Sequence, residues 1–420
     1  MQRSIPYGGS TVSVSIPDTV SVARFVPPQA DNADSRQILQ RALNNPLGAP
    51  SLEQFVAGAR SILVVVNDAT RPTPTAQLLD HILPALSAVP EWTIITATGL
   101  HRAPTEPEIR GILGSHCDST RARFLIHDGR DTATLVRIGK GEKSVLLNRR
   151  LINADRVIVL TSVEPHFFAG YSGGRKSLVP GLAGADTVER SHAGAMSPLA
   201  LPLNLDGNPV RGYIVRASAV IPSARLWSVQ VVQDSHGQIA GAFAGDIDAS
   251  FVAAAGMARR YYAVPVPRLY DVIIVAVGPP LDLNLYQAQK GWEGVAAAVR
   301  DGGVVIVASE CAEGIGSRFY EDLVRRHPNP DDWPALADWP YTLGLHKLVR
   351  MGRARKRFRL CLASGLTAQQ VAPFGYEPFA QLQDAVDAAL SHVGRASSHL
   401  AIVENGALTT LVPPTSAFVS

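Results

Sequence analysis

The feature that most constrains this chain is a recurring unit. A short, wholly apolar, β-branched run ends in a polar turn, and an amphipathic stretch follows. Ser61–Asn67 reads SILVVVN and Thr75–Ala88 after it carries apolar residues at helical spacing. Trp92–Thr98 (WTIITAT) repeats the pattern. There Thr105-Glu106-Pro107-Glu108 forms a capping-box signature with proline in the first turn. Arg123–His127, Arg156–Thr161 and Leu226–Val232 are further strand candidates, and Asp248–Tyr262 reads as a long helix. After Val264-Pro265-Val266-Pro267, whose prolines suit a hinge, the series resumes. Asp271–Val277, Gly303–Ser309 and Phe358–Ala363 read as strands, Tyr286–Arg300 and Pro378–Leu390 as helices. Leu400–Val403 and Leu408–Val412 read as closing strands. Continuous apolar runs mark strands buried on both faces, and intervening helices imply parallel crossovers. The expected fold is therefore α/β, with two domains of mainly parallel sheets flanked by helices and an active site in the interdomain cleft. The expected bounds are 1–264, 265–397, and 398–420 as C-terminal strands packing back on the N-terminal domain.

Composition excludes several alternatives. The 39 Lys+Arg against 36 Asp+Glu leave a net charge of only +3, too small for a dedicated nucleic-acid binder. Cys117, Cys311 and Cys361 lie far apart, which speaks against a zinc ribbon or a disulfide scaffold. Runs such as Ile62–Val66 and Val272–Val277 fall far short of the ~20 residues that cross a bilayer. No apolar signal core follows Met1, so a soluble cytoplasmic protein is expected.

In α/β proteins chemistry gathers in the turns after parallel strands. Four clusters occupy such turns: Asn67–Pro74, Thr98–Arg102, Glu164–Ser177 continuing to His192, and Tyr286–Lys290. Gly170-x-x-x-x-Arg175-Lys176-Ser177 approaches a P-loop, but Arg175 stands where that loop needs glycine. Gly173-Gly174 beside Arg175 and Lys176 still suggests an anion site. Gly170-Tyr171-Ser172-Gly173-Gly174 matches a nucleophile elbow in letters only, since the preceding strand ends at Thr161. Gly278-Pro279-Pro280 blocks amide donors where a dinucleotide fingerprint would lie.

The distinctive pattern is His101, His166, Lys176 and His192, with Asp68-x-x-Arg71 upstream and Tyr286-Gln287-x-x-Lys290 downstream. Its most specific part is HFFAGYSGGRKSLVPG, from His166 to Gly181. This pattern resembles the nickel-pincer lactate racemase family. The resemblance implies a cofactor, a pyridinium-3-thioamide-5-thiocarboxylic acid mononucleotide carrying nickel. It implies that Lys176 anchors the cofactor covalently and that His192 is a nickel ligand. His101 and His166 would form the acid/base pair. Asp68, Arg71, Gly173 and Gly174 would contact the cofactor or its surroundings, while Arg71, Tyr286, Gln287 and Lys290 would bind substrate. Ser172, Ser177 and Asn208 are weaker candidates for a phosphate.

The chemistry of these residue types agrees with what the resemblance implies. Imidazole completes a planar nickel site of soft donors. A lysine amine links to an activated thioacid or carboxyl group. Two histidines titrating near neutrality can exchange a hydroxyl proton on opposite faces of a carbon, and arginine grips a carboxylate. The expected function is nickel-dependent racemisation or epimerisation of a 2-hydroxy acid, such as lactate or malate, by hydride transfer. Its expected partners are the small acid and cofactor-biosynthesis enzymes, with no nucleic acid and no membrane. A non-catalytic cofactor carrier and a nickel-free phosphate-binding enzyme remain the alternatives.

Overall fold

The structure, a computed structural model, describes residues 1–26, 34–279, 281–394 and 398–414. Pro280 of the Gly-Pro-Pro turn and residues 415–420 of the expected C-terminal strands lie outside the described residues. The chain forms two compact units, one of which runs from 34 to 260. The other joins residues 1–26 to the described residues from 261 onward.

The 34–260 unit is built on a six-stranded sheet. Its order is Ile239–Gly245, Leu226–Gln233, Arg156–Ser162, Ser61–Val66, Glu91–Thr96 and Phe124–Ile126. All pairings are parallel except that of the outermost Ile239–Gly245. Apolar residues alternate between two cores. Val64, Val66, Ile158 and Leu160 enter one, and Leu63, Val65, Val157 and Val159 enter the other. Double-sided burial explains why these strands read as unbroken apolar runs. The chain begins in the middle of the sheet, builds outward through Glu91–Thr96, then returns to the other side with Arg156–Ser162. The switch point thus falls between Ser61–Val66 and Arg156–Ser162, where α/β sheets open a crevice at their carboxyl ends.

The other unit carries a second six-stranded sheet, parallel throughout. Its order is Glu377–Phe379, Arg359–Ala363, Val299–Ala308, Tyr270–Ala276, His399–Val403 and Ser21–Phe25. Here the expected organisation needs correction. The first strands do not belong with residues 34–260, because Ser21–Phe25 forms the edge beside His399–Val403. The C-terminal strands stay in the same unit: His399–Val403 pairs with Tyr270–Ala276, and Thr410–Val412 pairs with Ala263–Pro265. The proline-rich stretch expected as a hinge is partly this short strand. The physical reason is register. Leu400 and Ile402 bury fully beside Val272 and Ile274, and no local pattern announces that distant partner.

The helix expected over Tyr286–Arg300 is also corrected. It is two short helices, Leu285–Ala288 and Lys290–Glu293, and the chain is already strand by Val299. A Cβ on Gly291 would lie 2.2 Å from Val277, and one on Gly294 would lie 2.6 Å from the Thr409 carbonyl. Close approach, not helix propensity, sets this segment. Pro378 lies in the strand Glu377–Phe379, and the helix after it is Leu382–Val393. The Thr105–Glu108 capping box forms as expected, with the Thr105 amide donating to Glu108 at 2.6 Å.

Candidate active site

Within the 34–260 unit the site grows from the switch point. Ser61–Val66 ends in Asn67, whose amide donates to Thr73 at 2.7 Å and to Thr161 at 3.1 Å. Thr73 bonds in turn to Ser162 at 2.9 Å. These bonds tie the Asn67–Pro74 loop to the end of the neighbouring strand and fix where Asp68 and Arg71 emerge. Asp68 is only 6% exposed. One of its carboxylate oxygens accepts from the Thr70 amide and hydroxyl, and the other faces His101 Nδ1 at 2.7 Å. Burial by itself would raise this carboxyl. The hydrogen bond and charge of His101, with Thr70 and Arg71, outweigh it and hold the group below the usual carboxylate value. An ionised Asp68 keeps the His101 proton on Nδ1, so Nε2 is the basic nitrogen.

The Arg71 amide donates to the Asp68 carbonyl at 3.1 Å, but the Arg71 guanidinium turns elsewhere. It donates to Glu164, which is nearly buried, in a close ion pair. Glu164 sits two residues before His166, so this bond links the two loops flanking the switch point. His166 belongs to a tiny hairpin in which Pro165–His166 pairs with Gly170–Tyr171. Its Nδ1 faces the amides of Ala169 and Phe168 at 3.3 and 3.5 Å. An Nδ1 that accepts puts the neutral ring's proton on Nε2. His101 and His166 are therefore held in opposite tautomers, one offering an acceptor and the other a donor.

His166 meets Phe168 edge-on with centroids 4.6 Å apart, and Phe168 meets His192 the same way at 5.1 Å. His192 occupies the last turn of the helix Ala185–Ala193, where Nδ1 donates to the Val188 carbonyl at 2.8 Å. That bond leaves Nε2 deprotonated, the form in which imidazole ligates a metal.

Lys176 lies on the short turn Gly174–Ser177. The two glycines before it serve space more than anions. Gly173 and Gly174 both have positive φ, and a Cβ would lie 2.6 Å from Val163 and 2.8 Å from Phe251 respectively. The Gly174 amide is already engaged by Gln230 at 2.8 Å. Arg175 turns into the protein and forms a forked ion pair with Asp248. The anion site expected from Gly173–Lys176 thus loses Arg175, and the near-P-loop letters describe a packing motif. Ser172 and Asn208 are likewise structural. Ser172 bridges Ser162 and Glu164, while Asn208 caps its helix and donates to the Phe168 carbonyl. Backbone bonds link the Lys176 loop to the His101 turn: Gly181 donates to the Lys176 carbonyl, and Gly99 donates to the Gly181 carbonyl.

In the other unit, Tyr286, Gln287 and Lys290 share one turn, with the Lys290 ammonium donating to Gln287 at 2.5 Å. Tyr286 is pushed up to about 12 by burial, so its phenol stays neutral. Sequence reasoning assigned no role to Glu164 or Lys347. A signal for Glu164 existed, a carboxylate directly after a buried strand. Lys347 gave none, being embedded among Leu345, Leu348 and Val349.

Comparison with known proteins bears on the family and the fold. Residues 7–200 match the family model of the lactate racemase N-terminal domain, and residues 268–337 match that of the C-terminal domain. The chain is 31% identical over 340 residues to a lactate racemase of Thermoanaerobacterium thermosaccharolyticum, spanning 78% of this chain and 79% of that protein. It is 30% identical over 330 residues to a lactate racemase of Lactiplantibacillus plantarum, spanning 76% and 77%. The apoprotein structure of the Thermoanaerobacterium enzyme superposes with a TM-score of 0.88 at 27% identity, covering 98% of this chain and all of that one. A Thermotoga maritima structure at 18% identity shares the fold, with a TM-score of 0.71 over 92% of this chain. With both domain models matched in order along more than half of the sequence, the chain belongs to the lactate racemase family.

Proposed function

We propose that this protein is a racemase or epimerase of 2-hydroxy acids that works with a lysine-tethered nickel-pincer nucleotide. The observation that carries the reading is the His101–Asp68 dyad set against an oppositely polarised His166. A protein that merely carried the cofactor would need no such acid/base pair.

The residues fit the cofactor. His192 offers Nε2 because Nδ1 is committed to Val188. Among the described residues no group of three or more His, Cys, Asp or Glu could hold a metal unaided. One imidazole therefore suits an ion whose other donors arrive with an organic ligand. Lys176 extends from a turn whose shape is fixed by two glycines, which suits a tether.

When bound, the cofactor would supply a carbon that takes a hydride from the substrate and returns it. The protein's own groups handle the proton. For one enantiomer His101 Nε2 accepts the hydroxyl proton, and Asp68 stabilises the imidazolium that forms. His166 Nε2 donates to the oxygen when the opposite face is reduced. For the other enantiomer the same steps run in reverse, starting from the state in which His101 holds the extra proton and His166 has given up its own. Each unit offers a cationic donor suited to a carboxylate, Arg71 held by Glu164 in the 34–260 unit and Lys290 held by Gln287 in the other.

The test is co-expression with cofactor-making enzymes, followed by intact mass, nickel content and chiral chromatography on a panel of 2-hydroxy acids. An adduct on Lys176, one nickel per chain and interconversion of one panel member are expected. Lys176→Ala should remove the adduct, and His192→Ala should keep the adduct while losing nickel. Adduct mass persisting in Lys176→Ala would overturn the anchor.

A further inference from the structure

Among the largest fully buried side chains of the molecule, Lys347 is the charged one. It lies in the first turn of the helix Leu345–Arg355 and grips the Tyr286–Lys290 turn at two points. Its ammonium donates to the Tyr286 carbonyl at 2.8 Å and sits 4.0 Å from the centre of the Tyr286 ring. Its own carbonyl accepts from the Gln289 side chain at 3.2 Å. Gln289 is held from its other end by the Tyr320 hydroxyl at 3.0 Å, and Tyr320 packs edge-on against Tyr286.

The charged groups near Lys347 are Lys290, Glu293 and Arg350, and Glu293 is already paired with Arg350. Burial first, and the two cations second, push the Lys347 amine well below its ordinary value, with Glu293 opposing. Such a site disfavours a charge, and an apolar side chain would pack there at less cost. A residue that costs stability yet holds a specific turn is what a functional requirement produces.

We propose that Lys347 is a positioning residue for the Tyr286–Lys290 turn, clamping both ends so that Gln287 and Lys290 are presented together to the substrate carboxylate. This rests on the reading of that turn as substrate-binding. Lys347 acts through the turn and does not itself touch the reacting atoms.

The experiment compares holoenzyme with Lys347→Met, Lys290→Met and the double variant. Lys347→Met should melt no lower than wild type. Amides in the 284–293 peptide should exchange about tenfold faster by mass spectrometry, because the local opening free energy falls. KM for the 2-hydroxy acid should rise about tenfold with kcat little changed, the mark of lost ground-state binding. The KM increases should be clearly less than additive in the double variant, since only Gln287 is left for the clamp to present. Lys347→Gln, which keeps a donor, should recover part of the KM, and it replaces Met in every comparison if Met fails to fold. Unchanged exchange at 284–293, a fallen melting temperature with unchanged KM, or additive effects in the double variant would each overturn the proposal. If wild-type holoenzyme turns over no 2-hydroxy acid, the functional reading fails, while the exchange comparison still decides the clamp.

Discussion

Replacing Asp68 with Asn isolates what the carboxylate does for His101. Asn keeps an oxygen where the Thr70 amide and hydroxyl donate, so the loop retains its local bonds. The other position, 2.7 Å from His101 Nδ1, becomes an amide NH2. Two donors cannot face each other, so Nδ1 must accept and the His101 proton moves to Nε2. The base is then lost without loss of the ring. General acid–base groups contribute about 10²–10⁴ in rate, and at ~1.36 kcal/mol per tenfold the barrier should rise by roughly 3–5 kcal/mol. The assay is the initial rate of interconversion from each enantiomer, followed by chiral chromatography on holoenzyme matched for nickel. Both directions should fall together, and Asp68→Asn in a His101→Ala background should cost little more. Stability supplies an independent check. The Asp68 carboxyl lies below its unfolded value, so its contribution is present above about pH 4 and is lost as pH falls through the folded value. Asn removes that acid-dependent increment. Retention of more than a third of the wild-type rate, or a full additive loss beside His101→Ala, would refute the tautomer argument.

Other consequences are more local. In D₂O with protiated substrate, the product enantiomer should keep protium at C2 by NMR; deuterium entering in step with inversion would mean proton abstraction at carbon. Gly174→Ala should destabilise the protein by roughly 1–3 kcal/mol in urea unfolding, since its Cβ would lie 2.8 Å from Phe251 at a φ of +55°. His127 is buried, which holds its imidazole below the ordinary value; the Ala183 carbonyl opposes this, and Asn148 donates to the other nitrogen. The unfolded chain therefore takes up this proton first, and stability falls as pH drops below about 6.5. His127→Gln should narrow the difference in unfolding free energy between pH 5 and pH 8.

What the sequence determined by itself was everything that a local period or a fixed spacing encodes. SILVVVN and its repeats specify strands buried on both faces, since only such strands leave no room for a polar alternate. Thr105 and Glu108 specify a helix start, because both partners of the box lie within one turn. The spacing of His101, His166, Lys176 and His192 marks the residues of interest through the resemblance to the racemase family, the first three after a buried strand or a glycine-fixed turn and His192 in the last turn of a helix. The tertiary structure decided which of them meet. Asp68 and His101 are 33 residues apart, and Arg71 and Glu164 are 93 apart. Both pairs exist because parallel register sets neighbouring strand ends side by side. The same cause carries Ser21–Phe25 across the chain to His399–Val403. Tertiary packing also takes Arg175 from an expected anion ligand to an ion pair with Asp248 in which the arginine is buried. Lys347 was invisible for a further reason. In sequence it is a lysine on a helix, and only packing shows that its ammonium points inward onto Tyr286. Side-chain periodicity reports the face a residue takes, whereas the partner on that face is set by a contact dozens of residues away.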